Sequence, residues 1–193
     1  MTISPALAAF HRFSPTALAS PPSSTSLSPP TGEAEDLALK RRCQACDLLL
    51  GEPVGAWSQR AEDLLDQALT GEPMSSADLA EWAVLLEEVA VRDRWWWRLT
   101  SRTAPLLLSL ACAIVRGTPR AHRNAPIAVT AITAWVADDT VLFRRCYGEL
   151  VASGERGALT ALVRRIHDSP FAPADWGDLM RQARRRLNTA PPC

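Results

Sequence analysis

Lysine is nearly missing from this 193-residue chain: Lys40 stands alone among 21 basic residues. Such a bias toward arginine, with abundant alanine and leucine beside it, suits a GC-rich genome, so arginine number by itself is no argument for nucleic acid. Long apolar runs are missing too. The most apolar one, Ala104 to Val115, is twelve residues, against the roughly twenty that span a bilayer. Extending it back to the tryptophans would bury Arg98 and Arg102 in lipid, which excludes a transmembrane reading and any membrane partner. The opening MTISPALAAFHRF has neither the basic start nor the apolar length of a secretory leader. Five cysteines, an odd number, then read as reduced thiols of a cytoplasmic protein.

Catalytic signatures are as scarce. The chain has no Gly-rich phosphate loop, no H-E-x-x-H and no G-x-S-x-G. His11, His122 and His167 stand singly. His122 reads as a loop residue and His167, followed by Asp168, as a helix-end cation rather than a general base. Cys43-Gln44-Ala45-Cys46 lacks the two further ligands of a zinc site, the histidine of a haem site and the βαβ surroundings of a redox motif, and reads as small-residue core packing. No catalytic residue, metal or cofactor is expected. Sustained strand alternation is also missing, so the fold class is all-α, an irregular helical bundle.

What is present divides into three parts. Residues 1–32 hold six of the fifteen prolines within Met1 to Thr31, plus a dense serine content; composition of that kind is expected to stay disordered. Residues 33–188 form one helical domain, and 189–193 a short tail. Within the domain, Glu33 to Asp93 carries 14 acidic and 5 basic residues, and Arg94 to Cys193 carries 7 and 15. The two halves attract within the fold, associate between molecules, or leave a basic face for an anionic partner.

Ser75 to Arg98 organises the domain. Ser75, with Asp78 three residues on, marks a capped start. Leu79, Trp82, Ala83, Leu86, Val89 and Ala90 then recur at helical spacing. Continuing that stripe puts Asp93 on the apolar side near the helix end, where it reads as a structural ion pair or as a cap for the next helix. Trp82, Trp95, Trp96, Trp97 and Trp135 are the expected core aromatics, the three in a row filling the junction between helical layers. Before this stretch, Glu33 to Leu50 forms a helix with Leu37, Leu39, Cys43, Cys46 and Leu48 to Leu50 as its apolar positions, and Pro53 to Leu69 a second, stopped at Gly71. After it, Thr103 or Ser101 opens a helix to Gly117 that is apolar nearly all round and therefore central. Pro126 opens the next, Asp138-Asp139 makes a turn and cap, and helices follow over Val141 to Ser153, Ala158 to Asp168 and Pro173 to Leu187. In the last, Arg181, Arg184, Arg185 and Arg186 form the candidate interaction surface.

From Val91 onward, the succession Val91-Arg92-Asp93, Ala125-Pro126, Ala134-Trp135, Asp138-Asp139 and Asp168-Ser169-Pro170-Phe171 resembles the C-terminal half of an uncharacterised actinobacterial family whose pattern runs V-R-D, A-P, A-W, G-D-G and D-P-x-Y. It covers about half of the chain, departs from the family at Ala137-Asp138-Asp139, and implies lineage and fold without an activity. Trp135 to Pro170 also approaches the 34-residue period of a tetratricopeptide-like hairpin. The expected function is non-enzymatic binding of another protein, self-association included. Nucleic-acid association through the arginine-rich helix is the alternative, and an unrecognised enzyme site near Asp93 and the tryptophans a second.

Overall fold

The computed structural model describes residues 27–189, and among them there is no strand: the described chain is α1 (Glu33–Leu50), α2 (Val54–Thr70), α3 (Ser76–Leu85), α4 (Val89–Arg98), α5 (Ala104–Gly117), α6 (Asn124–Val136), α7 (Thr140–Ala152), α8 (Ala158–His167) and α9 (Trp176–Thr189), with 3-10 turns at Arg120–His122 and Pro173–Asp175. The all-α expectation holds. Most of residues 1–32 and of the C-terminal tail falls outside the described part. Leu27 does not: its side chain is buried in the core, and its carbonyl accepts from the buried Arg123 guanidinium, so the packed unit begins before Glu33.

The core centres on α6. All eleven residues from Pro126 to Val136 are buried, with α5, α7 and α8 packed around them. This corrects the expectation for α5, whose Leu106 and Ser109 face outward. Two threonines sit inside α6 without orphaned hydroxyls, because Thr130 donates to the Pro126 carbonyl and Thr133 to that of Val129, each at 2.8 Å; a buried hydroxyl without such a partner would be costly. On its other side α5 meets α2 and α3. Against these lie α1, on α3, and α4, on α2.

The long helix expected from Ser75 is two helices. The capping box at Ser75 and Asp78 forms as read, but α3 stops at Leu85 and the chain turns over Leu86 to Glu88. The Arg92 side chain stabilises the break by donating to the carbonyls of Leu86 (2.9 Å) and Glu87 (2.6 Å), groups that the end of a helix leaves without partners. The turn resets the face: Val89 is 62% exposed and Ala90 is exposed. Asp93 consequently caps nothing. The next helix starts at Ala104 with Thr103 before it, and Asp93 makes no hydrogen bond or ion pair among the described residues, acting only through its charge on Arg92.

Aromatic packing closes the interior. Trp82 and Trp95 meet edge to face at 5.4 Å, and the Trp95 indole N–H donates to Thr133 on α6 at 3.1 Å. Trp96 and Trp135 both pack edge to face against Trp176, whose own N–H donates to the Leu99 carbonyl at 2.9 Å. Trp176 thus pins the start of α9 to the body. The hairpin reading is not supported: Trp135 is near the end of α6 rather than early in a first helix, and α7 and α8 both pack on α6. Asp139 does cap α7, accepting from Leu142 N at 2.9 Å, while Asp138 takes the left-handed backbone (φ 60°) that short polar residues tolerate best.

Candidate interaction surfaces

On α4, Arg94, Trp97 and Arg98 lie three and four residues apart and share a side of the helix. Glu62 on α2 accepts from Arg94 at 3.4 Å and from Arg98 at 2.9 Å, and Asp66 adds a second carboxylate to Arg98 at 2.9 Å. These pairs join the acidic half to the basic half. The hydrogen bond that Arg98 donates to Glu62 is the largest influence on its guanidinium, and it raises the pKa despite burial. Trp97 departs from the core expectation: it is 39% exposed and lies between two guanidinium groups, Arg94 at 5.3 Å and Arg184 of α9 at 5.7 Å from its ring centre. Ring and cations attract in that geometry.

The α9 arginines are only partly available. Arg181, Arg184 and Arg185 are exposed, but Arg181 is paired with Asp178 one turn earlier and Arg184 is committed to Trp97. The side chain of Arg186 lies outside the described residues. This face is a basic edge with one arginine on a carboxylate and one on an indole rather than an open phosphate track.

The tryptophans and Asp93 do not assemble a reaction centre; Trp82 and Trp95 are buried against each other, with Trp95 bonded to Thr133 of α6, and Trp96 is buried against Trp176. A cavity of about 330 Å³ does open between the α3–α4 turn and the start of α8, lined by Glu87, Arg92, His122, Asn124 and Glu155. Glu155 already bridges it, accepting from the Gly157 amide at 2.8 Å and from Asn124 at 3.4 Å. Burial, followed by the nearby Arg42 charge, lowers the His122 pKa, and its ring makes no hydrogen bond to a described residue. His167 stacks on Tyr147 at 4.1 Å with Asp168 at 3.0 Å. Among the described residues neither ring pairs with a serine, threonine or cysteine side chain. Burial pushes the Cys112 and Cys146 thiols up to about 11 and about 12, leaving both protonated at neutral pH and inert as nucleophiles. Among the described residues no three acidic, histidine or cysteine side chains gather to hold a metal ion, and no helix is long and apolar enough to cross a membrane.

The surface that sequence reasoning missed is α1. Its buried side chains are Ala38, Arg42, Ala45 and Leu49, so of the residues read as its core side Leu49 is buried and Cys46 packs partly buried against the core, while the others face outward. Leu37, Leu39, Leu48 and Leu50 are all exposed, Leu50 to 77%. They fall on two edges of the helix. Leu39, Cys43, Cys46 and Leu50, spaced four, three and four apart, line one edge. Leu37 and Leu48 line the other, beside a groove of about 510 Å³ shared with α3 and bordered by Arg41, Gln44, Ala77 and Glu81. The inward face is set by a charge. Arg42 is 7% exposed and donates to Glu87 at 2.7 Å, while its second guanidinium nitrogen finds no partner among the described residues. Trp57 donates to the Leu49 carbonyl at 2.7 Å and holds the end of the helix. The spacing was legible in the sequence, since Ala38-Arg42-Ala45-Leu49 repeats the same pattern one position earlier. Nothing in it said which of the two registers would turn inward.

No protein-family model matches this chain, and comparison with curated proteins and with solved structures finds no match either.

Proposed function

We propose that this chain is a non-enzymatic helical module that binds a protein partner through α1. The observation that carries the reading is the exposure of Leu37, Leu39, Leu48 and Leu50 on one helix. Single exposed leucines are ordinary on protein surfaces, but several on one element mark a contact surface. Two further features support it. The acidic and basic halves pair with each other through Glu62, Asp66, Arg94 and Arg98, which leaves the apolar edges of α1 rather than a charged face in need of cover. Among the described residues, neither His122 nor His167 pairs with a serine or cysteine nucleophile, and the buried thiols Cys112 and Cys146 are held protonated. Nucleic-acid binding has weaker support, because Arg94, Arg98 and Arg181 already carry carboxylates and Arg184 lies on Trp97.

Cys43, exposed on the leucine edge, reports occupancy. Alkylation of Cys43 by iodoacetamide, followed by peptide mass spectrometry, is expected to be slower in a concentrated extract of expressing cells than in purified protein diluted to about 1 μM, a concentration at which only tight complexes persist. Equal rates in the two conditions would overturn the reading.

A further inference from the structure

Resting on that reading, we infer that the partner on the Leu39–Leu50 edge is a second copy of this chain, with α1 packed antiparallel against α1 about a two-fold axis between Gln44 and Ala45. The edge is its own complement. A residue at one position then faces the residue whose number completes the same sum, so Leu39 meets Leu50 of the second copy and Cys43 meets Cys46 of the second copy, and both pairs occur twice. This is the isologous geometry of a two-fold contact, in which one patch serves both subunits.

The flanking charges agree. Lys40 and Asp47 are each one position beyond a seam residue, on the solvent side, where antiparallel helix pairs set their cross-helix charges. Both are exposed, and neither makes an ion pair with a described residue. Antiparallel pairing brings Lys40 of each copy beside Asp47 of the other. A parallel two-fold pairing would instead put the Lys40 and Asp47 flanks of the two copies on opposite sides of the seam, so only the antiparallel arrangement pairs these charges. It also gives the chain's one lysine a place: a flexible ammonium suits an exposed flank, whereas the buried position two residues on is taken by Arg42, whose planar guanidinium engages Glu87.

The seam is short. From Leu39 to Leu50 a helix rises only about 17 Å, well below the span of a long coiled coil, so the expected complex is weak and concentration-dependent, in the range from about 10 μM to about 1 mM. Small thiols at the middle two layers permit close approach of the helices, and the leucines at the ends supply most of the apolar area.

The test uses the full chain under reducing conditions, with sedimentation across that concentration range and Cys43 alkylation in parallel. Lys40→Asp and Asp47→Lys are each expected to weaken dimerisation about five- to ten-fold, since each places like charges together at two symmetric sites, and the doubly exchanged variant is expected to restore it. Leu50→Glu is expected to abolish the dimer while leaving the thermal midpoint of the dilute chain unchanged. If dimers form but ignore both charge reversals, self-association uses another face and the inference is overturned. If the purified chain stays monomeric while Cys43 remains protected only in extract, the occupant is a different protein: the inference fails and the proposed function survives. Slow alkylation at every dilution of the purified chain would mean that the same chain covers its own edge, which overturns it as well. Fast alkylation everywhere with a monomer would remove both the inference and the proposed function.

Discussion

Helices α1 and α6 show how little apolar content alone decides. Both are rich in apolar residues, yet α6 is buried from Pro126 to Val136 while α1 turns two alanines, an arginine and a leucine inward and leaves four leucines outside. The difference lies in what surrounds them. Three helices pack around α6, so every side of it is removed from water. Only α3 packs closely on α1, and the small residues Ala38 and Ala45 let the two backbones approach, with Arg42 between them reaching Glu87. Hydrophobic burial scales with the area actually covered, and coverage is a property of neighbours.

The largest expected effect is at the covered end of this contrast. Trp95→Ala should lower stability by about 3–5 kcal/mol, measured by urea unfolding. Replacing the indoles by phenylalanine sharpens the point. Trp95 donates to Thr133, whereas the buried Trp82 N–H has no partner among the described residues. Trp95→Phe should therefore destabilise by about 1 kcal/mol more than Trp82→Phe, the net value of one hydrogen bond. Equal losses would show that the Thr133 contact contributes nothing.

Breaking the charge that orients α1 comes next. Glu87→Gln removes the anion facing the buried Arg42 and should cost about 1–3 kcal/mol, seen as a shifted denaturation midpoint. Adding Arg42→Met in the same chain should recover much of that loss, because an apolar side chain of similar length needs no partner. If Glu87→Gln is silent, the orientation of α1 rests on its alanines alone.

The smallest effect concerns pH and the start of α3. Burial raises the Asp78 pKa, but its hydrogen bonds from Ser75 and the charge of Arg60 outweigh that and leave the carboxyl below its ordinary value. A carboxyl depressed in the folded state contributes stability above its unfolded pKa, and that contribution is lost as pH falls through the folded value. Asp78→Asn should thus cost about 1 kcal/mol at neutral pH, and the gap from the parent protein should close below about pH 4. A gap that persists in acid would assign the effect to the amide geometry instead.

Much of the fold was legible locally. Ser75 with Asp78, Asp139 before α7 and the left-handed Gly71 after α2 are boundaries written in side chains that satisfy their own neighbouring backbone, so they can be read without knowing the rest of the chain. The break at Leu86 to Glu88 was not, because the apolar spacing continues straight through it; Arg92, six residues beyond Leu86, folds back to supply the donors. Trp97 was placed in the core by composition, yet it projects away from the sides taken by Trp95 and Trp96 and meets Arg184 from a helix nearly ninety residues later. The arginine cluster of α9 was visible in sequence, whereas the contact of its Arg184 with Trp97 and the pairing of Arg94 and Arg98 with the α2 carboxylates Glu62 and Asp66 were not.

By itself, then, the sequence determined that the chain is helical, where most helices start and stop, and that its two halves carry opposite charge, since these depend on spacing, caps and counts within a few residues. The tertiary structure decided which helix is central, which side of α1 faces water, and which charges neutralise one another. Those outcomes depend on contacts between residues far apart in the chain, where several registers satisfy the same local pattern and only the packing of neighbours chooses among them.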